Sequence, residues 1–222
     1  MRVTTGTAAS SSSGRRREAR KTTQSRSGAG SIAVLIKIIA MTMKQFEFSI
    51  IASGLDPEAD GFADRFFDAG CDDATISFQK GCIIADFTRE AESIEAAIAT
   101  AVGDVGRAGA RVDRIEPDPL VSLSEIADRT GLTRAAITNY AKGERAENFP
   151  SPVARVTSKS SLYDWASVAT WLFRHHHLPR DKAIEAEAVK AANAAIQSLE
   201  PRLEETLARR LRDYERHLDL AA

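Results

Sequence analysis

From Gln45 the chain alternates apolar and polar side chains, with Phe46, Phe48 and Ile50 separated by Glu47 and Ser49. A period of two is that of a strand with one face buried. Gly54-Leu-Asp-Pro then turns the chain. Asp56 and Pro57 mark a helix start, because proline suits the first helical turn and aspartate caps its free amides. Phe62, Ala63, Phe66 and Phe67 fall on one face of that helix, which Gly70 closes. Ala74, Ile76 and Phe78 predict a second strand, Lys80-Gly81 a hairpin turn, and the run CIIADF from Cys82 a third strand. Ser93 is placed to cap a second helix in which Ile94, Ala97, Ile98, Ala101, Val102 and Val105 recur at helical spacing. Gly109 stops it, ARVDRIE predicts a last strand, and Pro117 and Pro119 break the pattern.

Strand-helix-strand-strand-helix-strand is the order of a ferredoxin-like βαββαβ domain, here over residues 44–118. The predicted fold class is therefore α+β, with two helices on one face of a sheet. The other face would be polar, lined by Glu47, Ser49, Thr75 and Ser77.

Beyond the prolines the period changes. LVSLSEIADRTGLTRAAITNY, from Leu120 to Tyr140, reads as two short helices around a tight turn. Ser122 and Glu125 form a Ser-x-x-Glu capping box, which stabilises a helix start by roughly 1 kcal/mol. Leu123, Ile126 and Ala127 share one face, and Gly131 stands where a left-handed backbone is wanted. Thr133 caps the second helix, whose Ala136, Ile137 and Tyr140 turn inward. Thr133, Arg134, Ala135, Thr138, Asn139 and Lys142 are left facing out, without a carboxylate among them. Arginine suits guanine, asparagine suits adenine, a threonine methyl meets thymine, and lysine suits phosphate.

Phe149-Pro150 and Pro152 then extend the chain, Val153, Arg155 and Thr157 predict a strand, Ser158-Lys159-Ser160 a turn, and Leu162-Tyr163 a return strand. Asp164 caps a helix carrying Trp165, Val168, Ala169, Trp171 and Leu172, and both tryptophans are expected in the core. The spacing of Ala127, Gly131 and Ile137 resembles the helix-turn-helix of bacterial DNA-binding regulators. With the hairpin and the helix after it, the stretch of about 55 residues resembles the winged form in MerR-like and excisionase-like regulators. That resemblance implies a winged helix-turn-helix domain over 119–178, with helix 133–142 in the major groove and Arg155 and Lys159 as wing contacts to the DNA backbone or minor groove.

Pro179 opens a helical tract over 179–222. Ile184, Ala188, Ala191, Ala195, Leu199, Leu203, Leu207, Leu211, Tyr214 and Leu218 recur at three and four, with Pro201 inside it. One helix of that length would span roughly 60 Å. Such an apolar stripe calls for a partner helix, so the tract is expected to pair two copies in a homodimer. An antiparallel pair folding back at Pro201 is the monomeric alternative.

Charge divides the chain in the same places. Residues 1–43 hold eight bases and one acid, net +7, in a Ser-, Thr-, Gly- and Arg-rich stretch that predicts a disordered basic tail. The apolar run at 31–41 is far short of the ~20 residues that span a bilayer. No small-residue cleavage site follows it. A transit peptide fits its Arg/Ser composition, though nothing else points to an organelle. The favoured reading is an upstream start ahead of a real one at Met41 or Met43, because the regular pattern begins only at Gln45. Residues 44–118 are net −9, 121–178 net +2 and 179–222 net −1. A polyanion is repelled by the first of these segments and tolerated by the second. Two cysteines, Cys71 and Cys82, make no disulfide framework, so the cytoplasm is the expected compartment.

Other chemistry is poorly supported. RNA-recognition domains share the βαββαβ order, and Lys80, Gly81 and Phe87 fit their third-strand signature. The stacking positions, however, hold Cys82 and Ile84 in place of aromatic rings. Histidines 175–177 are adjacent and point in different directions from a helix, so no metal is expected, and no cofactor. No nucleophile-base set or phosphate loop is present, so an enzyme is not expected. The sequence predicts a dimeric, sequence-specific double-stranded-DNA-binding transcriptional regulator. The alternative is an antitoxin-like or adaptor interaction protein whose acidic 44–118 domain holds a protein partner or a small ligand.

Overall fold

A computed structural model of the protein describes residues 43–198 and 202–220. The tail expected over 1–43 and the break at Pro201 lie outside the described residues, apart from Met43. The fold is mixed α+β, with seven helices and a small antiparallel sheet among the described residues. Strands β1 (Lys44–Ser53), β2 (Ala74–Gln79), β3 (Cys82–Ala91) and β4 (Arg111–Glu116) form the sheet in the order β2-β3-β1-β4. Helix α1 (Phe62–Asp68) stands between β1 and β2, and α2 (Ile94–Arg107) between β3 and β4.

Alternation puts Phe46, Phe48 and Ile50 into one core with Phe66 of α1 and Ile98 of α2. The opposite face is open and polar. There the Ser49 hydroxyl donates to the Asp86 carboxylate, and Thr75 stands opposite Asp86 in the register. Lys80 and Gly81 join β2 to β3 with φ of 53° and 81°. Positive φ at both central residues is what a two-residue hairpin needs to match the strand twist. Ser93 caps α2, accepting from the Ala96 amide. The first helix begins later than Asp56 and Pro57 suggest. The Asp56 carboxylate accepts the Glu58 amide in a local turn, two further turns follow, and Gly61, with φ of 70°, precedes the helix.

Arg89 projects from β3 into this domain and all its donors are used. Its guanidinium reaches both oxygens of Asp73 (2.7 and 2.8 Å), Asp104 (2.7 Å), Thr100 (3.1 Å) and the Gly70 carbonyl (2.9 Å). A buried ion pair offsets its own desolvation only with such complete hydrogen bonding. Cys71 packs beside it. Burial, and next the negative charge of Asp104, push that thiol up to about 11.

The second half is built from β5 (Leu120–Val121), α3 (Leu123–Thr130), α4 (Arg134–Ala141), β6 (Tyr163–Asp164) and α5 (Trp165–Arg174). Ile126, Ala127, Ile137, Tyr140, Trp165 and Trp171 share its core, as their spacing predicted. The β-arm differs from expectation. Val121 pairs with Tyr163, while the strand expected at Val153, Arg155 and Thr157 shrinks to one bridge between Ala154 and Leu162. Arg155, at φ 51°, bends the chain, and its carbonyl accepts the Ser158 amide in a turn (2.9 Å).

The C-terminal tract divides into α6 (Arg180–Gln197) and α7 (Leu203–Asp219). They pack antiparallel, since Arg180 at the start of α6 bridges to Asp219 near the end of α7 (3.2 Å). An antiparallel pair is the arrangement expected of a tract that folds back near Pro201. Ala188, Ala191, Leu207 and Leu211 are buried in the core of the sheet domain, and Ala183 and Leu218 in the core of the helical domain. These positions of the stripe are thus covered within one chain. Asn193 fixes the hairpin to the sheet. Its side-chain oxygen accepts the Ile115 amide (2.7 Å) and its nitrogen donates to the Ile115 carbonyl (2.9 Å). No helix among the described residues is long and apolar enough to cross a membrane.

Replacing Asn193 with leucine leaves a buried amide and carbonyl unpaired, and a cost of about 2–4 kcal/mol is expected in urea unfolding. Reagent at pH 8 should label Cys82 alone in the native protein. Cys71 should react only once denaturant opens the domain, and a Cys82→Ser variant should show no fast thiol.

Candidate functional site

The outward face of α4 carries the residues that the sequence offers for chemistry, and local hydrogen bonds explain why it forms. Ser122 accepts the Glu125 amide (3.3 Å) while Glu125 accepts the Ser122 amide (2.7 Å), so the capping box closes in both directions. These bonds to Ser122 hold the Glu125 carboxyl below its ordinary value. Gly131 takes φ 69° at the end of α3, and Thr133 caps α4 by accepting the Ala136 amide (3.2 Å). The two helices are thereby started and stopped by their own side chains before any tertiary contact is counted.

Of the predicted residues, Thr133, Arg134, Ala135, Lys142, Arg155 and Lys159 are exposed, and Thr138 and Asn139 are half-buried. The Thr138 hydroxyl donates to the Arg134 carbonyl (2.8 Å), which leaves its methyl as the group on offer. Lys142 lies 3.8 Å from Glu144, a carboxylate just past the end of α4. An exposed pair of this kind contributes little and is screened by salt.

The structure brings two of these residues together with groups not chosen from the sequence. Arg134, from the first turn of α4, and Lys159, from the turn of the β-arm, line a small groove of about 100 Å³ with Ser122, Ser124, Ser160 and Ser161. Two cations and the hydroxyls of Ser122, Ser124 and Ser160 suit a phosphate group, whose several oxygens can accept from them. The serines were hidden in the sequence by their capping and turn roles. Arg155 is not part of this groove. Its carbonyl holds the turn that presents Lys159, accepting from the Ser158 amide and the Ser161 hydroxyl (3.3 Å).

Behind the face, rings make the support. Tyr140 lies 5.1 Å from Trp171 between centroids, Phe149 lies 5.0 Å from Trp171, and His175 stacks on Trp171 at 3.9 Å. The Trp171 indole donates to the Glu147 carbonyl (3.1 Å), which ties down the segment after α4. His177 shares a hydrogen bond with the Tyr140 hydroxyl (3.0 Å). His175 and His177 thus pack with α4 and α5, and no group of three metal-ligating side chains occurs among the described residues.

A protein-family comparison, a search of curated proteins and a search of solved structures each gave no match to this chain.

Because the Glu125 carboxyl is depressed, its stabilising contribution is complete above about pH 4.5, its ordinary value, and is lost as pH falls through the lower folded value. Glu125→Gln is therefore expected to lower stability by roughly 0.5 kcal/mol at pH 7 and by less at pH 3, read from paired urea titrations.

Proposed function

We propose that this protein is a sequence-specific double-stranded-DNA-binding regulator, with α4 as the reading helix in the major groove. The observation that carries the reading is the convergence of Arg134 and Lys159 on one serine-lined groove beside the exposed face of α4. In a winged helix-turn-helix, a reading helix and a β-arm grip the duplex together, the arm on the backbone. Lys159 and Arg134 would seat a phosphate in that groove, fixing the helix in register. Asn139, the methyl of Thr138 and Ala135 would then meet base edges, and Lys142 a further phosphate. Arg155, at the bend of the arm, is proposed as its backbone or minor-groove contact.

The front domain supports a role other than nucleic-acid contact. Its strand order and its helices on one face suit the ferredoxin-like βαββαβ reading. Its open face carries Glu47, Asp86 and Glu116, which repel a polyanion. Pairing through the C-terminal helices is not carried into the proposal, because their apolar positions already serve the two intrachain cores.

The test is selection of duplexes from a random pool with the purified full chain, followed by titration of the recovered sequence. Lys159→Ala is expected to weaken binding to all sequences alike and to reduce the slope against log salt by about 1. Asn139→Ala is expected to cost about 1–3 kcal/mol and to relax preference at one base pair. Recovery of no preferred sequence, or unchanged binding by both variants, overturns the assignment of α4 as reader.

A further inference from the structure

A cavity walled by both apolar and charged side chains lies away from α4. It has a volume of about 340 Å³, at the lower end of the range of ~300–1,000 Å³ typical of small-molecule sites. Its walls come from both halves of the fold: Phe46 and Phe48 of β1, Pro119 of the connecting segment, Arg129 of α3, Trp165 of α5 and Val189 of α6.

Arg129 is the unusual member. Its Nη2 donates to the Asp118 carbonyl (2.9 Å), and the guanidinium carbon stands 5.2 Å from the centre of the Trp165 ring. Its Nη1 is buried without a hydrogen-bond partner, alone in that among the side-chain nitrogens and oxygens of the described residues. Glu125, Asp118 and Glu116 act on it only at a distance. A buried charged donor without an acceptor is costly, and a carboxylate with its two oxygens is the acceptor a guanidinium fork fits best. The other cation on the wall, Lys182, is already held by Glu185 at 2.6 Å. Glu47 and Glu185 also line the cavity, so a dianion would be repelled where a single carboxylate is neutralised by Arg129.

We infer that this cavity is a binding site for a small monocarboxylate with an apolar body, its carboxylate on Arg129 and its body among Phe46, Phe48, Trp165 and Val189. The occupant bridges the sheet domain, the C-terminal hairpin and α3, the helix that carries the reader. It therefore stabilises one placement of the reader on the rest of the molecule. The effect on DNA rests on the function proposed above, whereas the binding itself does not.

The probes are benzoate and 3-phenylpropanoate, with benzamide and 3-phenylpropanamide as neutral counterparts of the same shape, added to the full chain in thermal unfolding and calorimetric titration. At a hundredfold excess over Kd an acid is expected to raise Tm by roughly 5–10 °C while its amide does not. Arg129→Gln should weaken acid binding at least tenfold. Ala186→Leu, which fills the cavity from α6, should do the same with Arg129 intact, so a poorly folded arginine variant does not decide the matter alone. Equal effects of acid and amide, no effect of either acid, or undiminished acid binding in both variants would overturn the inference. Acid binding by a protein that selects no duplex would leave the site standing and remove only the DNA reading.

Discussion

The side-chain amide of Asn193 is the contact on which the arrangement of this molecule turns. β4 is an edge strand, and an edge leaves a row of backbone donors and acceptors to be satisfied. At Ile115 a helix does this, because Asn193 presents one acceptor and one donor in the order a neighbouring strand would. The two bonds are buried, where an unpaired backbone group is most expensive. They also set the axial position of α6 on the sheet, and so decide which of its alanines meet which core. Ala188, Ala191 and Ala192 reach the sheet domain, and Ala183 and Ala186, one to two turns earlier, reach the helical domain. Alanine on both faces permits this double packing, since larger side chains would hold the helix away from one core or the other.

The helical domain is oriented by the same hairpin. Asp164 caps α5 through the Ser167 amide (3.0 Å) and also pairs with Lys190 of α6 (2.6 Å). One carboxylate thus ties the start of α5 to the helix that carries Asn193. The Thr170 and Tyr214 hydroxyls add a hydrogen bond from α5 to α7. Between these ties and the sheet lies the cavity with Arg129 on its wall, so the space left between domains is bounded by side chains of all of them. A ligand there and the outward surface of α4 share one neighbour, α3, which is the physical route by which one would influence the other.

Local chemistry was legible from the chain alone. The capping box at Ser122 and Glu125, the caps at Ser93, Thr133 and Asp164, the left-handed Gly131 and the Lys80-Gly81 hairpin all involve residues within a few positions of one another. Alternation in β1 and helical spacing in α2 to α5 likewise named the buried side chains, since burial there follows from period. The start of α1 is not legible because an aspartate before a proline satisfies a turn as readily as a helix. The bend in the arm is not legible because the positive φ at Arg155 is not marked by a glycine.

What the sequence determined by itself, then, is most of the elements with their caps and inward faces, because these depend on contacts close along the chain. Tertiary structure alone decided what covers the C-terminal stripe, where Asn193 finds its partner 78 positions away, and that Arg134 meets Lys159 across a serine-lined groove. It also left Arg129 buried with a donor unused. Those outcomes depend on which faces meet, and a period says only that a face is apolar.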